Sequence, residues 1–121
     1  MTKILFVEDD DDIRDVAMMS LELEPGLELR SCASGAEALK VAHSWVPDLV
    51  LLDVMMPHMD GPTTLQALRG ISGFENVPVV FLTARTQATE QEHLRSLGAK
   101  GVIAKPFNPL TLASEVRTFI A

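Results

Sequence analysis

The sequence predicts an α/β fold: five strand–helix units in succession, forming a five-stranded parallel sheet with helices on both faces. Three observations carry this. Residues 3–7, 49–52 and 77–82 are short runs nearly continuous in apolar side chains, the pattern of strands buried on both faces. The segments between and after the strands place apolar residues at helical spacing. The connections run to only a few residues, which suits right-handed crossovers between parallel neighbours.

Taken in order, residues 3–7 form the first strand. Ile13, Val16, Ala17 and Leu21 then make a stripe at the helical period. Residues 27–32 alternate apolar and polar side chains, as an edge strand does. Ala36, Leu39, Val41 and Ala42 mark a second helix that stops before Pro47, and residues 49–52 are the third strand. Asp60 or Gly61 caps a third helix with Pro62 just inside its first turn; Leu65, Ala67 and Leu68 follow, and Gly70 sits near the end. Residues 77–82 are the fourth strand. A fourth helix runs from about Thr86 to Leu97 and ends at Gly98, a suitable C-terminal cap. Residues 101–104 give a short last strand, and a fifth helix spans about Pro109 to Ile120. There is no internal repeat and no internal boundary, so residues 1–121 read as one domain.

Composition narrows the function. Among 121 residues, 17 acidic side chains outweigh 10 basic ones, a formal charge of −7. That balance, with no basic run, argues against a nucleic-acid surface or an anionic membrane as partner. The single cysteine, Cys32, cannot form an internal disulfide and lacks the neighbours of a zinc site. No apolar stretch approaches the length of a membrane span, and the N-terminus has no signal-peptide core, so the expected setting is the cytoplasm.

In parallel sheets, ligands bind outside the carboxyl ends of the strands. Here the first strand ends in Glu8-Asp9, the third in Asp53, the fourth in Thr83 and the fifth in Lys105. Two carboxylates about 4 Å apart repel by about 4 kcal/mol at an effective dielectric near 20. A hard divalent cation relieves that conflict, and an all-oxygen ligand set favours Mg²⁺ over Zn²⁺. With a cation present, Asp53 can act as a nucleophile toward phosphorus. The Lys105 ammonium and the Thr83 hydroxyl then suit the phosphoryl oxygens.

The motifs in which these residues lie are Ile4-Leu5-Phe6-Val7-Glu8-Asp9, Pro47-Asp48-Leu49-Val50-Leu51-Leu52-Asp53, Met56-Pro57-His58-Met59-Asp60-Gly61, Leu82-Thr83-Ala84 and Lys105-Pro106-Phe107. Five such pieces in this order, each at a strand end, resemble the receiver domain of bacterial two-component response regulators along essentially the whole chain. The resemblance implies a flavodoxin-like (βα)5 fold with strand order 2-1-3-4-5 and a cis Lys105-Pro106 bond. It implies Glu8 and Asp9 as the acidic metal pair, Asp53 as phosphoacceptor, and Thr83 and Lys105 as the phosphate-sensing pair. It adds the Met55 backbone carbonyl as a ligand to Mg²⁺, or to Mn²⁺ in its place.

By the same resemblance, the chain is a phosphorylation-dependent switch that catalyses only its own phosphorylation and dephosphorylation. The phosphoryl group comes from a sensor histidine kinase or a histidine phosphotransfer protein, and the downstream partner is a protein. The resemblance also allows a phosphorylation-dependent dimer, and either a stand-alone regulator or the receiver of a longer one. Two positions depart from the family pattern: Val102 stands where receivers commonly carry a rotating Phe or Tyr, and Glu8 replaces the commoner Asp. Met55 and Arg85, two positions beyond Asp53 and Thr83, sit where family members tune water access. An apolar cover and a cation there predict a phosphorylated form lasting minutes or longer.

Plainer readings apply to other residues. Asp10, Asp11 and Asp12 favour a helix start, and Asp48 and Asp60 are caps or turn residues. His43, His58 and His93 are expected in solvent, Cys32 in the core, and Trp45 against the end of the second helix. Met18, Met19 and Leu23 exceed what one buried stripe requires; they thicken the core or form a docking surface for a kinase or phosphotransfer helix. A haloacid-dehalogenase-type phosphatase would need a second Asp where Met55 stands. A nucleotide or flavin domain would need a glycine-rich loop after the first strand, and none is present.

Overall fold

The computed structural model describes residues 1–85 and 87–120. Five strands, β1 (Thr2–Val7), β2 (Leu27–Cys32), β3 (Leu49–Asp53), β4 (Val79–Thr83) and β5 (Gly101–Ala104), form one sheet in the order β2-β1-β3-β4-β5. Every neighbouring pair is parallel. The helices are α1 (Asp11–Glu22), α2 (Gly35–Ala42), α3 (Gly61–Arg69), α4 (Ala88–Ser96) and α5 (Leu112–Arg117). This is the flavodoxin-like arrangement expected from the sequence.

Side-chain alternation on doubly buried strands makes two cores. Leu5, Val7, Val50, Leu52, Val79 and Phe81 point to one face, where Ala38 and Ala42 of α2, Leu65 and Leu68 of α3 and Leu94 of α4 cover them. Ile4, Phe6, Leu49, Leu51, Val80 and Leu82 point to the other, under Ala17 and Leu21 of α1 and Leu112 and Val116 of α5. The caps are local. Asp10 accepts from the backbone N–H groups of Asp12 and Ile13, Ser34 from Glu37, and Asp60 from Thr63.

Several boundaries differ from those expected. The fourth strand starts at Val79 rather than Val77, since Pro78 has no N–H to donate, and it runs through Thr83. The fourth helix begins at Ala88, with Gln87 as its N-cap; the expected start at Thr86 lies outside the described residues. Its end agrees, with Gly98 in the left-handed region at φ +107°. The fifth helix covers only Leu112–Arg117 of the expected 109–120. Asn108 accounts for the late start: its Oδ1 accepts the Leu110 N–H at 2.9 Å, a side-chain turn that competes with helix. At the other end Phe119 and Ile120 bond three residues back, to Val116 and Arg117, in a tightened last turn.

Two stripe residues also turn outward. Val16 is 45% exposed, and Ala36 lies outside while Gly35, Ala38 and Ala42 face inward. Trp45 is buried beside the end of α2, donating from Nε1 to Glu28 Oε2 at 3.3 Å, with the Arg30 guanidinium 4.9 Å from the ring centre.

Candidate functional site

The first carboxylate is held by the sheet edge itself. Glu8 follows β1; its N–H donates to the Cys32 carbonyl at 3.0 Å, which continues the β1–β2 ladder by one residue. Arg14 Nη1 donates to the Glu8 carbonyl at 2.9 Å, and the Asp10 N–H reaches Glu8 Oε2 at 3.3 Å. Glu8 is wholly buried, Asp53 nearly so, and Asp9 half-buried. Each of the three offers a carboxylate oxygen within 4.8 Å of the other two.

Lys105 enters this cluster from β5. Its backbone N–H donates to the Thr83 carbonyl at 2.8 Å, and the peptide bond to Pro106 is cis. Its Nζ donates to Asp53 Oδ1 at 2.7 Å and lies 2.6 Å from Glu8 Oε1. The second approach is off the hydrogen-bonding direction, so Glu8 Oε1 is buried without a donor.

Electrostatics follow from burial and sharing. Burial pushes the Glu8 carboxyl up to about 7, against the opposing pull of Lys105. Burial raises Asp53 as well, again opposed by Lys105. Burial alone would lower Lys105, but its contacts with Asp53 and Glu8 prevail and raise it. One ammonium thus faces two carboxylates, with Asp9 beside them.

Three carboxylates, two of them sharing one ammonium, with a buried Glu8 oxygen that accepts no hydrogen bond, make an all-oxygen cluster that fits a hard divalent cation. No cysteine or histidine joins the three carboxylates in that group.

Thr83, the last residue of β4, is buried, and its Oγ1 accepts the Arg85 N–H at 3.0 Å. It lines a cavity of about 360 Å³ together with Met55, Asp60 and Arg85. Met55 is 62% exposed at the rim and Arg85 is exposed, so both stand at the water-facing side. Val102 is half-buried against the core, paired in register with Phe81.

Gly61 shows its purpose only here. Its N–H donates to the Val54 carbonyl at 2.9 Å. A Cβ there would run into the Asp53 carbonyl oxygen and sit 3.0 Å from the Phe81 ring. The sequence marks Gly61 as a helix start; the close approach to the chain at Asp53 carries no local signal. The strand ends place Glu8 and Lys105 on one sheet edge; the direct 2.6 Å ion pair between them carries no local signal.

The remaining residues take plain roles. Asp10 and Asp60 are caps, and Asp48 Oδ2 accepts the Lys3 N–H at 2.8 Å. His43, His58 and His93 are exposed, and Cys32 is buried. His58 adopts φ +67°, a left-handed turn conformation in the loop between β3 and α3.

A family model for the response regulator receiver domain matches residues 4–117. The chain belongs to that family. It is 39% identical over 121 residues to the transcriptional regulatory protein CpxR homolog of Haemophilus influenzae, covering 99% of this chain and 51% of that protein. The chain spans about half the length of the curated relatives it matches. Among solved structures, the chemotaxis response regulator CheY4 of Vibrio cholerae superposes with a TM-score of 0.90 at 34% identity, over 98% of each chain. The receiver domain of the Pseudomonas aeruginosa sensor histidine kinase PA1611 superposes with a TM-score of 0.86 at 27% identity, over 98% of this chain and 97% of that one. That structure carries a magnesium ion coordinated in its active-site cleft. The present chain is therefore a receiver, the phosphorylation-dependent signalling module of two-component systems. No helix among its described residues is long and apolar enough to cross a membrane.

Proposed function

We propose that residues 1–121 form one receiver domain that accepts a phosphoryl group on Asp53. The observation that carries this is the Asp53 carboxylate, nearly buried, sharing Lys105 with Glu8 beside Asp9. Glu8, Asp9, Asp53 and the Met55 carbonyl would hold Mg²⁺, or Mn²⁺ in its place. When bound, the cation supplies positive charge to the phosphoryl oxygens.

The protein's own groups do the rest. A carboxylate oxygen of Asp53 attacks phosphorus while the bond to the donor nitrogen of a phosphohistidine breaks. Lys105, the neighbouring ammonium, pairs with a phosphoryl oxygen. Thr83 accepts from Arg85 through a lone pair, so its hydroxyl proton is available to another oxygen. Met55 and Arg85 at the rim hinder the water that would hydrolyse the acyl phosphate.

The donor is a sensor histidine kinase or a histidine phosphotransfer protein, and the setting is the cytoplasm. An apolar groove of about 480 Å³ next to the pocket, lined by Ile13, Val16, Ala84, Pro106, Phe107 and Pro109, suits the donor's helix. Exposed Val16 belongs to that groove, whereas Met18 packs against the core, and Met19 of α1 and Leu23 just past its end stand in solvent. Phosphorylation then changes what binds the face built from α4, β5 and α5, a protein target or a second copy.

The test is intact-mass spectrometry after incubation with acetyl phosphate, with and without Mg²⁺, on the parent and on Asp53→Asn. One phosphoryl adduct that needs both Mg²⁺ and Asp53 is expected. An adduct of equal size on Asp53→Asn refutes the assignment.

A further inference from the structure

We propose that Glu8 is a positioning residue that acts through Lys105: it holds the ammonium over the acidic cluster, and so sets how strongly the chain's own cation competes with a divalent one. The inference rests on the reading of the cluster as a metal site, and adds what the longer acidic side chain at this position does.

The geometry comes from restraints on both ends of Glu8. Its backbone is fixed by the bond to Cys32 and by the Arg14 guanidinium on its carbonyl. Its Oε2 accepts from the Asp10 N–H, and its side chain is fully buried. With one oxygen tied down, the other stands in ionic contact with Lys105 Nζ, 2.6 Å away and off the hydrogen-bonding direction. Asp53 Oδ1 accepts from the same ammonium at 2.7 Å. Lys105 is thus gripped between two of the three carboxylates that would ligate a metal.

A divalent cation and an ammonium cannot share those oxygens without strong like-charge repulsion, so entry of one requires retreat of the other. Aspartate at position 8 would still offer a carboxylate to the metal. It is one methylene shorter, and from the same backbone it falls short of the ammonium. Glutamate therefore makes Lys105 a tighter internal counter-ion than aspartate would, at the expense of metal affinity.

The experiment measures Mg²⁺ binding by calorimetry on four proteins: the parent, Glu8→Asp, Lys105→Gln and the double variant. In parallel, acetylation of Lys105 by an N-hydroxysuccinimide ester is followed by peptide mass spectrometry, with exposed Lys40 as internal reference. Glu8→Asp is expected to tighten Mg²⁺ binding roughly three- to tenfold, by weakening a charge competitor. That gain is expected to vanish in the Lys105→Gln background. Lys105 in Glu8→Asp should also acetylate several-fold faster than in the metal-free parent.

A Glu8→Asp effect of equal size in both Lys105 backgrounds would mean that Glu8 acts only as a metal ligand, and would overturn the inference. So would equal Lys105 acetylation in the parent and Glu8→Asp. If no variant binds Mg²⁺, the metal-site reading itself fails and takes this inference with it; binding that ignores position 105 defeats the inference alone.

Discussion

Replacing Gly61 by alanine should distort the end of β3 at Asp53, and its magnitude follows from what the new methyl meets. The added Cβ would collide with the Asp53 carbonyl oxygen, lie 2.9 Å from Val54 Cα and 3.0 Å from the Phe81 ring. Two of those three neighbours are backbone, so no rotamer change relieves them, and the ring belongs to a fully buried core residue. Overpacking of this kind costs about 1–3 kcal/mol, and rigid backbone neighbours place it at about 2–3. For a chain of this size that corresponds to a fall in Tm of roughly 8–12 °C. Gly70→Ala is the matched control. Its Cβ would approach only the Ala67 carbonyl oxygen, at 3.5 Å, and its φ is −83°. Relief of unfolded-state entropy makes that change neutral or stabilising by up to about 1 kcal/mol. Differential scanning calorimetry of both variants without metal decides the matter. Acetyl phosphate labelling should also slow in Gly61→Ala, because the displaced carbonyl is that of Asp53. If Gly61→Ala melts within about 2 °C of Gly70→Ala, the close approach is not a constraint and the reasoning is wrong.

Other outcomes follow from the same geometry. Because burial holds the Glu8 carboxyl near 7, above its ordinary 4.5, the folded metal-free protein binds more protons than the unfolded chain between those values. Its stability is therefore expected to fall as pH rises from about 4.5 through 7, and Mg²⁺ affinity to rise over the same range; denaturant titrations and calorimetry at several pH values check both. Cys32, buried and with its thiol pushed up to about 11 by burial, should resist iodoacetamide at pH 7.5 and react only after denaturation, as read by intact mass. The phosphorylated protein should persist for minutes or longer after removal of acetyl phosphate, and a half-life of seconds would show that Met55 and Arg85 do not shield it.

What the sequence determined by itself is what short-range physics determines. Apolar runs bounded by turn residues could only be buried strands, which fixed β1, β3 and β4 to within two residues at each end. Asp60 and the acidic start of α1 cap helices because a side chain needs to reach only two or three residues ahead. The polar residue closing each strand was also legible, since a parallel sheet gathers those ends on one edge. The tertiary structure decided what depends on chain segments meeting across long separations. Lys105 lies 52 residues beyond Asp53, and only the packed sheet brings its ammonium to 2.7 Å from that carboxylate and to Glu8 as well. Val16 turned outward because α1 and the chain before α5 leave a groove there, which periodicity along one helix cannot foresee. Gly61 is needed because the loop after β3 folds back onto Asp53, an approach set by sheet and helix together. In each case the deciding energy is a contact between residues remote in sequence, and a pattern read along the chain carries no record of that distance.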